Sequence, residues 1–108
     1  MTVLLAFSTF PSEASARAAA GKLIESGAAA CVTILPAVVS VYRWKGQTET
    51  ASEALLMIKT TDAAYPRLES VLKACHPYEL PELLAVGAEA GLPGYLEWVE
   101  QETARHNE

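Results

Sequence analysis

Hydrophobic positions along the chain follow two periods, and the changes between them predict the elements. The run Thr2-Val3-Leu4-Leu5-Ala6-Phe7-Ser8-Thr9 is apolar, rich in β-formers and closed by Phe10-Pro11-Ser12, which predicts a buried first strand. Helical spacing then takes over at Ala16, Ala19, Ala20, Leu23 and Ile24, with Ser12 as N-cap, Glu13 in the first turn and Gly27 as C-cap. The inner face of this helix is mostly alanine, so it can lie close on a sheet. From Ala28 to Trp44 and again from Gln47 to Thr60 the character is β, with Lys45-Gly46 as a tight turn and Pro36 marking a bulge or an edge. Tyr65, Leu68, Val71, Leu72 and Cys75 share one face of a second helix, capped by Asp62 or starting later at Pro66, and stopping at Cys75-His76-Pro77. An irregular link from Tyr78 to Glu82 leads to a short apolar strand over residues 83–88. Gly91-Leu92-Pro93-Gly94 opens a final helix carrying Tyr95, Leu96, Trp98 and Val99, and the polar tail from Gln101 to Glu108 is expected to fray.

The order β-α-β-β-α-β plus a terminal helix predicts an α+β, ferredoxin-like split sandwich, with two helices on one face of an antiparallel sheet, as a single domain over residues 1–108. Its hairpin is too long for its domain. An arm from Ala30 to Trp44 extends about 50 Å at about 3.3 Å per residue. A globule of this length has a radius of gyration near 13 Å and a diameter of about 34 Å. The arms must overhang, and an isolated two-stranded ribbon is marginal in water. A second copy of the chain is the simplest cover, and the uncovered face of the apolar sheet asks for the same partner.

Composition narrows the function. With 108 residues and 51% hydrophobic content the chain can bury a core, and the apolar runs are too short to span a bilayer, so neither disorder nor a membrane partner is expected. A net charge of −5 offers no basic field for nucleic acid. No basic leader stands at the start, and Cys31 and Cys75 are expected as free thiols in a cytoplasmic protein. Familiar catalytic signatures are missing and no nucleophile has an obvious base, so an enzyme is disfavoured and no organic cofactor is expected.

A thin set of side chains could carry chemistry. Cys31 and Cys75 read first as core thiols, and adjacent Cys75 and His76 at a helix end are poorly placed to share an ion. His76 is expected to cap helix carbonyls, with Pro77 holding the exit. Lys59, flanked by apolar residues near a strand end, either snorkels to water or faces a carboxylate or anionic ligand. Tyr95 and Trp98, one turn apart, read as packing anchors with polar tips, and His106 as a solvated tail residue.

Several segments together resemble the CutA divalent-cation tolerance family. They are Ala30-Cys31-Val32 with Pro36, Ser40-Val41-Tyr42-Arg43-Trp44-Lys45-Gly46, Leu56-Met57-Ile58-Lys59-Thr60, His76-Pro77-Tyr78-Glu79-Leu80-Pro81-Glu82 and Tyr95-Leu96-Glu97-Trp98, and the order and spacing match over essentially the whole chain. The resemblance implies a tight homotrimer similar to the PII signalling proteins, with long hairpins wrapping neighbouring subunits. It also implies tolerance to divalent metals, copper binding, and a cleft between subunits lined by Cys31, Lys59, His76, Tyr78, Glu82, Tyr95 and Trp98. Two positions depart from the pattern: Thr33 stands where Asn is expected, and Cys75 inherits no metal role. Three functions follow as alternatives. The first is a trimer holding copper or another divalent ion through Cys31, His76 and Glu82. The second is a PII-like trimer taking a small anion on Lys59 between Tyr78, Tyr95 and Trp98, and the third is a stable scaffold only indirectly linked to metals.

Overall fold

The computed structural model describes residues 2–104, so His106 and the tail beyond Ala104 lie outside the described residues. The chain forms β1 (Val3–Phe10), α1 (Glu13–Glu25), β2 (Cys31–Trp44), β3 (Gln47–Thr61), α2 (Tyr65–Cys75), β4 (Leu84–Gly87) and α3 (Pro93–Ala104). One sheet has the order β2-β3-β1-β4 with every neighbouring pair antiparallel, which is the ferredoxin-like split arrangement.

Strand alternation sorts the side chains onto two faces. Ala6, Phe10, Ala54, Leu56 and Ile58 turn toward α1 and α2 and close a core with Ala16, Ala19, Leu23, Leu68 and Leu72. The small residues of α1 let it approach the sheet, while Leu23, Leu68 and Leu72 fill the space between the helices. Leu5, Phe7, Met57 and Lys59 fall on the opposite face, where α3 packs near the end of β3 and the Thr103 and Thr61 hydroxyls meet at 3.4 Å. The terminal helix thus covers part of the face that the paired helices leave open.

Local chemistry explains where the elements end, including four places that depart from the sequence expectations. Ser12 caps α1 by accepting from the Ser15 N–H. The C-cap of α1 is Ser26, with Gly27 one residue beyond at φ 76°; the Gly27 and Ala28 amides return to Ile24 and Leu23, a Schellman closure. Asp62 does not cap α2. Its carboxylate accepts from the Thr2 and Ala63 amides, and the cap position falls to Ala64, with Pro66 in the first turn. The stretch Gln101–Ala104 is helical rather than frayed, because Thr103 is buried and its hydroxyl bonds the Val99 carbonyl and the Thr61 hydroxyl. β1 also runs one residue further than expected, since Phe10 belongs to the core.

The hairpin overhangs as its length requires, giving overall dimensions of 43 × 27 × 22 Å. Lys45 and Gly46 both have positive φ, the condition for the tight two-residue turn whose twist matches paired strands. A register shift between Leu35 and Val38 accommodates Pro36 on what is also an edge strand.

Two substitutions test this packing. Leu72→Ala should cost about 2–5 kcal/mol, read from denaturant unfolding. Ser8 is fully buried and its hydroxyl finds no hydrogen-bond partner among the described residues. Ser8→Ala should therefore raise stability by about 1 kcal/mol in the same assay, and a loss would contradict the placement of β1.

Candidate functional site

The candidate residues divide between two places on the sheet. The first is a cluster on the α3 side. Cys31 and Lys59 are direct cross-strand partners, and Thr33 follows two residues along the same face. The Lys59 ammonium donates to the Thr33 hydroxyl and lies 3.7 Å from the Cys31 sulfur. Lys59 therefore meets no carboxylate among the described residues: a hydroxyl and a thiol hold its ammonium in place without neutralising it. Thr33, the residue that departs from the family pattern, is the one that holds it. The Tyr95 phenol reaches the Cys31 sulfur from α3, and loss of water around the ring, followed by the sulfur, raises its pKa. Trp98 lies beside it with ring centroids 5.7 Å apart, and at 41% and 40% exposure the two rings are open walls rather than packed anchors.

The second cluster lies at the other end of β1, where the loop after α2 crosses it. Pro77 forces the preceding residue into extended backbone, and His76 takes φ −82°, ψ 133°. Its ring stacks on Phe10 at 4.1 Å, and its Nε2 lies 2.8 Å from the Thr9 carbonyl while Nδ1 accepts from the Tyr78 amide at 3.1 Å. That pattern defines the neutral imidazole protonated on Nε2. His76 thus ties the loop to β1 instead of capping the carbonyls of α2. The Tyr78 phenol donates to Glu53 Oε2, and burial, then this bond, push its pKa well above the ordinary value. Glu53 is only 8% exposed. The pattern of the chain does not single it out within the β stretch from Gln47 to Thr60, although an acid at the edge of Ala54-Leu55-Leu56 is a signal that it needs a buried partner.

A cavity of about 880 Å³ opens beside this cluster, lined by Tyr42 and Trp44 from β2, Glu53 from β3, and Tyr78 to Glu82 from the loop. Along β3, Lys59 and Glu53 stand about 20 Å apart at about 3.3 Å per residue. One protomer therefore brings Cys31, Lys59, Tyr95 and Trp98 together, and separately Tyr78, Glu82 and the His76 loop. It does not bring Cys31 to His76 or Lys59 to Tyr78. Among the described residues no group of three or more His, Cys, Asp or Glu side chains could hold a metal ion, so a metal site from these donors requires more than one copy of the chain. Cys75 packs against the core and its thiol donates to the Leu72 carbonyl.

A protein-family model for the CutA1 divalent ion tolerance protein matches residues 4–102. The chain belongs to the CutA1 divalent ion tolerance family. Protein CutA of Mus musculus is 43% identical over 102 residues, covering 94% of this chain and 58% of that protein, so the chain spans little more than half the mouse relative. The divalent-cation tolerance protein CutA of Thermus thermophilus is 44% identical over 95 residues, with 88% of this chain and 92% of that one covered. Crystal structures show the same fold: CutA from Xylella fastidiosa superposes with a TM-score of 0.92 at 45% identity over 95% of this chain and 99% of that one. CutA1 from Oryza sativa gives 0.92 at 36% identity over 95% and 94%.

The imidazole of this CutA1-family chain makes stability depend on pH. Burial lowers the His76 pKa, opposed by the Thr9 hydrogen bond and the Glu53 charge. The unfolded chain, titrating near 6.5, then binds the proton more readily than the folded one. The stabilisation is complete above that value and is lost as pH falls through it toward the lowered folded pKa. The urea midpoint should fall between about pH 7 and about pH 5, and His76→Gln should flatten the fall; an equal slope in both proteins would contradict the neutral tautomer.

Proposed function

We propose that this chain works as a cytoplasmic homotrimer in the response to divalent metal ions, binding copper through Cys31, His76 and Glu82 contributed by different subunits. The observation that carries the assembly is the exposed ribbon: Val39 and Val41 are 71% and 66% exposed beside Tyr42 and Trp44, far from the core of their own domain. Apolar side chains of that size on a marginal ribbon call for cover, and a trimer supplies it from the same chain. The assembly would also bring the Lys59 end of one protomer to the His76 end of another, which no single chain does. Thiolate and imidazole suit copper, and the two free cysteines suit a reducing compartment. At His76 the lone pair is on Nδ1, so a metal bound there must displace the Tyr78 amide. The role is binding rather than turnover and needs no organic cofactor.

A second reading has its own observation. The Lys59 ammonium pairs with no carboxylate among the described residues and stands beside the half-open Tyr95 and Trp98 rings, an arrangement that suits a small anion in a PII-like signalling trimer.

Native mass spectrometry of the reduced protein tests both. The expected species is a trimer that gains one copper per subunit and loses it in Cys31→Ser or His76→Ala. A monomer would overturn the assembly. A trimer that takes no metal but binds a small anion, and loses it in Lys59→Ala, would favour the second reading, and one that binds neither would leave a scaffold with an indirect link to metals.

A further inference from the structure

The two thiols of the chain differ in their neighbours. Cys75 packs against the core and donates to the Leu72 carbonyl of its own helix. Cys31 stands directly across the β2–β3 pair from Lys59, whose ammonium lies 3.7 Å from its sulfur. Directly opposed residues hold their Cβ atoms about 4.5–5.5 Å apart, so this closeness is set by strand register and not by a single side-chain rotamer. Thr33 adds a second restraint, because its hydroxyl accepts from the same ammonium two residues along the strand. The pair lies at the body end of the hairpin, where β3 is flanked by β1, and both residues belong to one chain. Its geometry therefore does not depend on what covers the ribbon.

An amine beside a thiol has a defined reaction once the sulfur is oxidised. A thiolate attacks hydrogen peroxide, the O–O bond breaks, and the sulfur becomes a sulfenic acid as hydroxide leaves. The Lys59 ammonium can give that hydroxide a proton, which makes water and frees the nitrogen lone pair. Sulfenic sulfur condenses with nitrogen to a sulfenamide. Here the amine attacks the sulfur, the S–O bond breaks, and the departing hydroxide takes a proton from the nitrogen and leaves as a second water. One thiolate, one ammonium and one peroxide thus give one S–N bond and two waters. The sulfur loses two electrons and the peroxide gains them, so the balance needs no other reactant.

We propose that Cys31 and Lys59 form a reversible sulfenamide crosslink when the protein meets hydrogen peroxide. Lys59 serves first as the acid and then as the nucleophile, and Thr33 positions it. Cys31 is half-buried and not sealed, and peroxide is little larger than water. The bond removes the thiol and the positive charge together, because a sulfenamide nitrogen is not protonated near neutral pH. An added thiol reverses it by attack on the sulfur. None of these steps depends on copper or on a bound anion.

Intact mass spectrometry of the metal-free assembly, treated with hydrogen peroxide in the presence of a chelator, tests the proposal. Cys75→Ser leaves one thiol per chain and keeps a donor for the Leu72 carbonyl. The expected product is lighter than the reduced chain by two hydrogen atoms, resists trypsin at Lys59, joins the Cys31 and Lys59 peptides, and regains the starting mass with dithiothreitol. Lys59→Arg keeps the cation without the nucleophile and should gain oxygen atoms instead. Thr33→Val, at an exposed position where a β-branched residue keeps the strand, should slow the crosslink severalfold. Oxygen addition without a crosslink when Lys59 is present, a disulfide between subunits, or the same loss of two hydrogens in Lys59→Arg would overturn the proposal.

Discussion

Everything distinctive in this molecule depends on a hairpin longer than the domain that carries it. β2 and β3 have 14 and 15 residues and pair with each other out to the turn, whereas β1 has 8 and β4 has 4, so only part of the hairpin can be flanked by a third strand and covered within the chain. The burial of β3 shows the boundary: from Gln47 to Thr50 every side chain is exposed, Glu53 is the first buried one, and from Ala54 to Thr60 buried and half-buried positions alternate. Glu53 stands at that boundary. Its carboxylate meets the Tyr78 phenol where the ribbon leaves the body, which pins the loop after α2 to the root of the hairpin.

The same geometry separates the chemistry into two ends. Near the start of β2 a cation is held on the open face by Thr33 and Cys31, with aromatic walls from α3. At the hairpin root a buried acid, two phenols and an indole line a cavity, and His76 anchors the loop with both ring nitrogens. One sheet thus presents a basic and an acidic site about 20 Å apart along β3. An assembly that stacks one protomer's end on another's would set these opposite charges side by side.

Much of this was legible in the residues. The periods of the apolar positions marked seven elements, Lys45-Gly46 marked the turn, and Pro36 marked the irregularity between Leu35 and Val38. The misplaced boundaries have a common cause: polar side chains found partners distant in sequence. Asp62 looked like a cap and instead holds the Thr2 amide, and Thr103 looked like tail and instead packs against Thr61. His76 looked like a helix cap and reaches Thr9, a strand residue far earlier in the chain. The site was legible as a set of residues but not as a geometry, because pairing of β2 with β3 puts Cys31 opposite Lys59 while the α2 loop delivers His76 to the far end.

The central claim is that the ribbon is covered by other copies of the chain. Hydrogen exchange of the amides from Val38 to Glu53 in the intact assembly measures this directly. Cover predicts slow exchange along the ribbon, comparable to the core of β1 and weakened when dilution dissociates the assembly. Fast exchange on both arms in the native protein would mean that the ribbon stands bare in solution, and would contradict the account.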